Sequence, residues 1–274
     1  VARSSRVREP LWVRLILRTV VVTYLVLLVA WPVALVVLNT FQDGFVHMAE
    51  ALADPVVQNA LRLTAVVAVS AVVINLLFGV TISLLLVRYE FPGKRALSAM
   101  IDVPLSVSPV VVGLALLLVY GSRTGWFGPA LADAGIQMVF ATPAMVMATA
   151  FVALPLVIRE VVPVLEEVGD EQEQAARSLG AGGAQTFWRI TLPSIKWAVV
   201  YGVVLSLARS LGEFGAVKVV SGNIVGRTQT ATLVVEQKYQ NFEQTTAYSV
   251  AFLLAFASVV CIVVVSILRP KEES

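Results

Sequence analysis

The chain has 274 residues, 58% of them hydrophobic and 14% charged, with a mean hydropathy of +0.85 and a formal net charge of +2. Soluble domains carry about a quarter charged residues, so this composition excludes an ordinary soluble domain and makes a membrane protein the expected class. The single cysteine, Cys261, excludes an internal disulfide and a cysteine-ligated metal site, and the single histidine, His47, near Asp43 and Glu50, gives neither a zinc motif nor a Ser/His/Asp arrangement.

Residues 1–14 read as an N-terminal tail carrying Arg3, Arg6, Arg8 and Arg14, with Arg18 close behind. Crossing about 30 Å of hydrocarbon takes roughly 20 helical residues. Six apolar stretches meet that length, at residues 15–38, 61–87, 100–120, 138–158, 197–217 and 247–268. Each is predicted to be helical, because lipid offers no partner to an open backbone group. The first is too long for a cleaved signal peptide and has no clear small-residue cleavage site after it, so it is expected to stay in the membrane. Cys261 lies in the last stretch, in SVVCIVVVSIL, and reads as a small hydrophobe.

Basic residues between spans set orientation. With the N-terminus inside, fourteen of the 20 basic residues are cytoplasmic: the five N-terminal arginines, Arg88, Lys94, Arg95, Arg159, Arg177, Arg189, Lys196, Arg269 and Lys271. Arg62, Arg123, Lys218, Arg227 and Lys238 fall outside or at the outer edge, and Arg209 lies within a span. Both termini, including the short tail 269–274, are therefore predicted to be cytoplasmic in a multi-pass cell-membrane protein. The N-terminal arginines suit orientation and contact with anionic lipid, and no nucleic-acid patch is present.

In the third span, DVPLSVSPVVVG places Pro104, Pro109 and Gly113 around Ser106 and Ser108. The segment is either a simple kink or an interruption that lines a path through the protein. Asp102, at its cytoplasmic end, is expected to pair with a neighbouring base or cap the helix.

The cytoplasmic loop 159–196 is the longest. Its acidic run EEVGDEQEQ suits the first turns of a helix, whose macrodipole favours negative charge there. Ala175, Ala176 and Leu179 give that helix a small apolar face, and GAGG at 180–183 ends it. A second short amphipathic piece, AQTFWRITLP, is expected to stop at Pro193. A solvated connector needs no paired aromatics beside a small-residue helix, so the loop reads as a docking knob for another protein.

Arg209 and Glu213, in LARSLGEFG, are four apart on one predicted helix face. Each alone at mid-bilayer costs about 2.5–3.5 kcal/mol. They read either as a structural ion pair or as groups lining an anion path, where the Arg209 fork suits a tetrahedral dianion. Ser206 and Ser210 flank Arg209 and either add hydroxyl donors or simply let helices approach. The following loop, 218–247, is expected outside, as a partly ordered lid, a face for a binding protein or an ordinary loop, with Arg227 and Lys238 available to acidic partners. No G-x-x-x-x-G-K-[ST] loop occurs, so this route to ATP is closed to the chain.

Ala175-Ala176, three residues, Gly180, nine residues, Ile190, one residue and Leu192-Pro193 match the EAA signature of permease subunits of bacterial ATP-binding cassette (ABC) importers. One departure stands out: Gln174 occupies the leading Glu position, with Glu173 one residue early. Further segments, among them RYEFPGKRAL (88–97), GSRTGWFGPAL (121–131), SLARSLGEFGAVKVVSGNI (206–224) and GRTQTATLVVEQKY (226–239), resemble the CysW-type permeases of sulfate/thiosulfate importers. The resemblance implies an all-α membrane protein of six transmembrane helices with the type I importer permease fold. The first helix, 15–38, would precede a transport core at 59–268 that contains the coupling loop 159–196.

It also implies a non-catalytic subunit that binds no cofactor itself, ATP and Mg sitting on a partner. The expected partners are two copies of a CysA-type ATPase, a second permease of CysT type, an extracytoplasmic sulfate-binding protein and membrane lipid. The ATPase would dock on Gln174, Ala175, Ala176, Gly180, Ile190, Leu192 and Pro193. Substrate-path candidates are Arg209, Glu213, Ser206, Ser210, Ser106 and Ser108. A molybdate or tungstate permease is the nearest alternative. A secondary transporter would show two related halves, and none is found; a receptor would need a signalling domain larger than RPKEES.

Overall fold

The computed structural model describes residues 10–268, so Arg3, Arg6, Arg8, Arg269 and Lys271 lie outside the described residues. Among these the chain is helical, in the order α1 (Leu11–Phe41), α2 (Phe45–Ala53), α3 (Pro55–Arg88), α4 (Lys94–Ser106), α5 (Pro109–Tyr120), α6 (Gly128–Asp133), α7 (Thr142–Val168), α8 (Glu171–Ser178), α9 (Gly183–Leu211), α10 (Gly215–Ser221), α11 (Ala231–Gln240) and α12 (Gln244–Leu268). Helices α1, α3, α7, α9 and α12 are each long and apolar enough to cross a bilayer, and the bent pair α4 and α5 is together long and apolar enough for a sixth, as a broken span or a re-entrant loop.

Prolines explain where the helices change character. Pro32 and Pro193 each follow a π turn, at Val26–Ala30 and Phe187–Thr191. Proline lacks an N–H and crowds the carbonyl four residues back, and widening the preceding turn accommodates both effects. Pro193 therefore does not end the second amphipathic piece, as the sequence reading expected; α9 runs unbroken from Gly183 to Leu211. In the third span the break is real. Pro109 disfavours helical geometry in the residue before it; Ser108 is extended at ψ 134 and Val107 at ψ 137, and α4 and α5 meet at 113°. The fifth span also departs from the expected continuous 197–217, because α9 stops at Leu211 and the chain re-enters a helix only at Gly215.

The core is a packet of α3, α7 and α9, with short α10 packed into one end of it. Val80, Val157, Val161, Leu165 and Ile195 fill one half, and Val67, Met145, Ala148, Val217 and Leu233 the other. Small residues set the spacing. A methyl on Gly79 would lie 2.8 Å from Val157 Cγ1, and one on Gly113 would lie 2.7 Å from Val219 Cβ and 2.9 Å from the Ala216 carbonyl. Helices α5 and α10 are thus held backbone to backbone. By contrast α1 keeps its apolar surface exposed and joins the rest only near its end, where Thr40 Oγ1 donates to the Tyr248 carbonyl at 3.1 Å and Phe41 packs on Phe252.

The expected outer loop is well ordered. Thr228, Gln229 and Thr230 are buried, the Ala231 N–H donates to Thr64 Oγ1 at 2.8 Å, and Asn59 Nδ2 donates to the Gly226 carbonyl at 2.7 Å, which straps α11 to α3.

Gly113→Val should cost about 1–3 kcal/mol by overpacking the α5–α10 contact, read as a lower Tm in detergent. Gly182→Ala, where a methyl meets nothing within 4 Å and φ is −71, should leave Tm unchanged; equal values for both variants would contradict the packing described.

Candidate functional site

Helix α8 hangs from one end of the bundle, between the close of α7 and the start of α9. Its first turn carries Glu171 and Glu173 and its last carries Arg177, each sign favourable to the helix dipole. Gly180, at φ +88, takes the left-handed turn that ends it, with the Ala181 N–H donating to the Ala176 carbonyl at 3.0 Å. The chain then rises into the first turns of α9. A groove of about 280 Å³ runs between the two, lined by Ala176, Leu179, Gly180, Gln185, Arg189 and Ile190.

Of the motif residues, Ala176, Gly180 and Ile190 line this groove, whereas Leu192 packs against the core. Gln174, Ala175, Gly180 and Pro193 are exposed and Ala176, Ile190 and Leu192 half-buried, while Leu179 and Trp188 present large apolar side chains to the outside. Gln174 donates from Nε2 to Asp170 Oδ2 at 2.8 Å, a contact local to its own helix.

Glu173, one residue earlier, points the other way and is the only buried residue of α8. Its Oε1 accepts from Arg88 Nε at 3.2 Å, Arg88 Nη2 at 3.1 Å and Thr191 Oγ1 at 3.0 Å. The same guanidinium donates to the Leu165 carbonyl at 3.2 Å and the Gly169 carbonyl at 2.6 Å, capping the end of α7. The two side chains are 12% and 9% exposed. Breaking a buried pair of this kind by removing one partner costs about 3–5 kcal/mol, because the other charge is left uncompensated. From sequence, Arg88 is an orienting charge and Glu173 a dipole complement one residue ahead of the motif, and nothing there joins the two. The signal available was the acidic residue standing one place ahead of the motif.

Among the path candidates, Arg209 Nη1 lies 2.7 Å from Glu213 Oε2, so the expected pair forms. Glu213 is not on the same helix, however: it sits in the break after α9, where its Oε1 accepts from the Ala216 N–H at 3.0 Å and caps α10, and its carbonyl accepts from Thr232 Oγ1 at 2.9 Å. Glu213 is 2% exposed and Arg209 38%, so only the arginine faces outward. Ser206 and Ser210 are buried; Ser206 Oγ accepts from Asn75 Nδ2 at 3.2 Å and Ser210 Oγ donates to the Ser206 carbonyl at 2.7 Å. Asn75 Oδ1 and Thr149 Oγ1 are also buried, without a hydrogen-bond partner among the described residues. Neither was singled out from sequence, since one amide or hydroxyl in an apolar run is unremarked until its neighbours are known.

Ser106 and Ser108 are exposed beside the α4–α5 break, Ser106 Oγ donating to the Asp102 carbonyl at 3.3 Å. Asp102 pairs with Arg159 at 2.8 Å, joining α4 to α7; of the two expectations for it, pairing with a base is the one that holds, and the base is on another helix. Arg227 is exposed, whereas Lys238 is held by Glu243 at 2.6 Å and Asp54 at 3.6 Å. The Glu243 hydrogen bond is the main cause that raises its pKa above the ordinary 10.5, and these contacts occupy Lys238 within the chain.

Residues 75–270 match a family described as binding-protein-dependent transport system inner membrane component. The chain is 48% identical to the sulfate transport system permease protein CysW of Synechococcus elongatus, over 90% of this chain and 86% of that one. It is 34% identical to the sulfate transport system permease protein CysT of Salmonella typhimurium, over 90% and 89%. Its fold superposes on a chain from a bacterial alginate ABC transporter in complex with alginate pentasaccharide-bound periplasmic protein, with a TM-score of 0.77 at 14% identity, covering 94% and 93% of the two chains. At that identity the likeness shows the fold alone, the type I importer permease fold.

Glu213→Ala removes both the cap on α10 and the partner of Arg209, and should lower stability by about 1–3 kcal/mol. Glu213→Gln keeps an oxygen for the Ala216 N–H and should lose less. The same Tm for both variants and the parent would contradict these roles.

Proposed function

The chain belongs to the binding-protein-dependent transport system inner membrane component family, and on that premise we propose that it is the membrane permease subunit of an ABC importer that brings sulfate into the cytoplasm. The observation that carries this reading is the 48% identity to a sulfate permease over nine-tenths of the chain, joined to an exposed α8 of the expected motif. The same pairing favours sulfate over molybdate or tungstate; thiosulfate, close in size and charge, is proposed as a second cargo.

The chain does no chemistry of its own and holds no cofactor. ATP and Mg sit on two copies of a CysA-type ATPase that grip the outward face of α8, at Gln174, Ala175, Ala176 and Gly180, with Ile190, Leu192 and Pro193 shaping the base. A CysT-type permease forms the other half of the membrane pore, and an external sulfate-binding protein delivers the anion. Membrane lipid covers the apolar coat of α1. Both termini face the cytoplasm. The excess of basic residues at the α8 end supports this orientation, and the contact of Thr40 with Tyr248, which sets α1 and α12 antiparallel, is in keeping with both ends lying on one side.

The anion passes Arg209, whose outward guanidinium attracts a dianion while Glu213 keeps the attraction too weak to trap it. Ser106 and Ser108 flank the path at the α4–α5 break. Ser206 and Ser210 contribute through the buried hydrogen-bond chain behind Arg209.

In proteoliposomes holding the four-component complex, sulfate with its binding protein should stimulate ATP hydrolysis and appear inside the vesicles. Stimulation by molybdate and not sulfate would overturn the substrate. Ala175→Arg, a bulky charge on the docking face, should abolish co-purification of the ATPase while the permease still inserts; normal transport by that variant would remove the docking assignment.

A further inference from the structure

Helix α8 is nearly free of the body of the protein. Of its residues only Glu173 is buried, and that side chain reaches away from the docking face on which Gln174 and Ala175 stand. Any lateral pull on α8 therefore reaches the spans chiefly through the Glu173 carboxylate and through the chain on either side of it.

Arg88, the last residue of α3, receives that carboxylate through Nε and Nη2. Two further donors, from Nη1 and Nη2, go to the Leu165 and Gly169 carbonyls that close α7. Thr191, in the π turn at the base of the α9 span, holds the same carboxylate oxygen. One planar, permanently charged fork thus links α8 to the ends of α3 and α7, and the shared oxygen adds α9. Those three helices form the core packet. A lysine ammonium, compact and without a fixed fork, cannot meet all of these acceptors at once.

We propose that Arg88 is a positioning residue for transport, its ion pair with Glu173 being the joint through which displacement of α8 becomes a concerted displacement of α3, α7 and α9. This rests on the reading of α8 as the ATPase-docking helix. Arg88 acts through α8 and touches neither the ATPase nor the anion. The joint also gives the off-register glutamate a role: the acidic side chain is displaced by one position from the motif and faces inward, where the docking partner does not reach it.

The test uses the full complex in proteoliposomes and reads sulfate-stimulated against basal ATP hydrolysis, sulfate uptake, and co-purification of the ATPase, for Arg88→Met, Arg88→Lys and the double variant Arg88→Met/Glu173→Leu. Arg88→Met should keep the ATPase bound and its basal rate, and lose stimulation by at least about tenfold. Arg88→Lys should recover part of it. The double variant, which leaves no buried charge unpaired, should assemble and still be uncoupled. Wild-type stimulation in Arg88→Met or in the double variant would overturn the proposal. So would failure of both to assemble, since the pair would then serve the fold alone. Lack of sulfate stimulation in the unmodified complex would instead refute the importer reading, a result separable from normal stimulation that Arg88→Met leaves intact.

Discussion

Inside a bilayer, a broken backbone or a charged side chain has no solvent to turn to, and must be satisfied by protein. The interruption between α9 and α10 obeys this. At the α9–α10 break Glu213 does three things: its carboxylate caps α10, it holds Arg209, and its carbonyl takes the Thr232 hydroxyl. At the α4–α5 break the chain bends sharply, and Gly113 and Gly215 let α5 press against the backbone and side chains of α10. The start of α10 thus packs on the start of α5, with Gly215 close to Pro109 and Val110, while Ser106 and Ser108 on the other side of the bend stay exposed.

The same economy of charge organises the other end of the molecule. An arginine at the end of α3 closes α7, anchors α8 and, through the glutamate, reaches Thr191 at the start of the α9 span. With that pair buried, the rest of α8 is left outward, and its small residues beside the exposed Leu179 and Trp188 make a surface suited to a protein partner. Anchoring and docking therefore divide along the two faces of one short helix.

Much of this was legible in the chain. The apolar spans and the α8 turn at Gly180 followed from hydropathy and glycine geometry, and a basic partner for Asp102 from charge, though not that the partner is Arg159. Proline was read less well, because its effect depends on neighbours. Pro109 breaks a span where the preceding residue is driven extended, whereas Pro193 is absorbed by a π turn and the helix continues. The expectation of a helical Arg209–Glu213 face had the right partners and the wrong backbone, since Gly212 interrupts it. Arg88 and Glu173 are 85 residues apart, and no local pattern announces a pair at that separation. Asn75 and Thr149 were hidden for the same reason.

The central claim is that the outward face of α8 seats an ATPase. Its most direct measurement is a site-directed cross-link. Cys261 is the chain's only cysteine, so in a Cys261→Ala background a cysteine can be placed by Ala175→Cys or Leu179→Cys and treated with a short bifunctional reagent in native membranes. The account predicts a covalent adduct with a P-loop ATPase whose yield changes when ATP is bound. An adduct only with some other protein, or none from either position in an active complex, would contradict it.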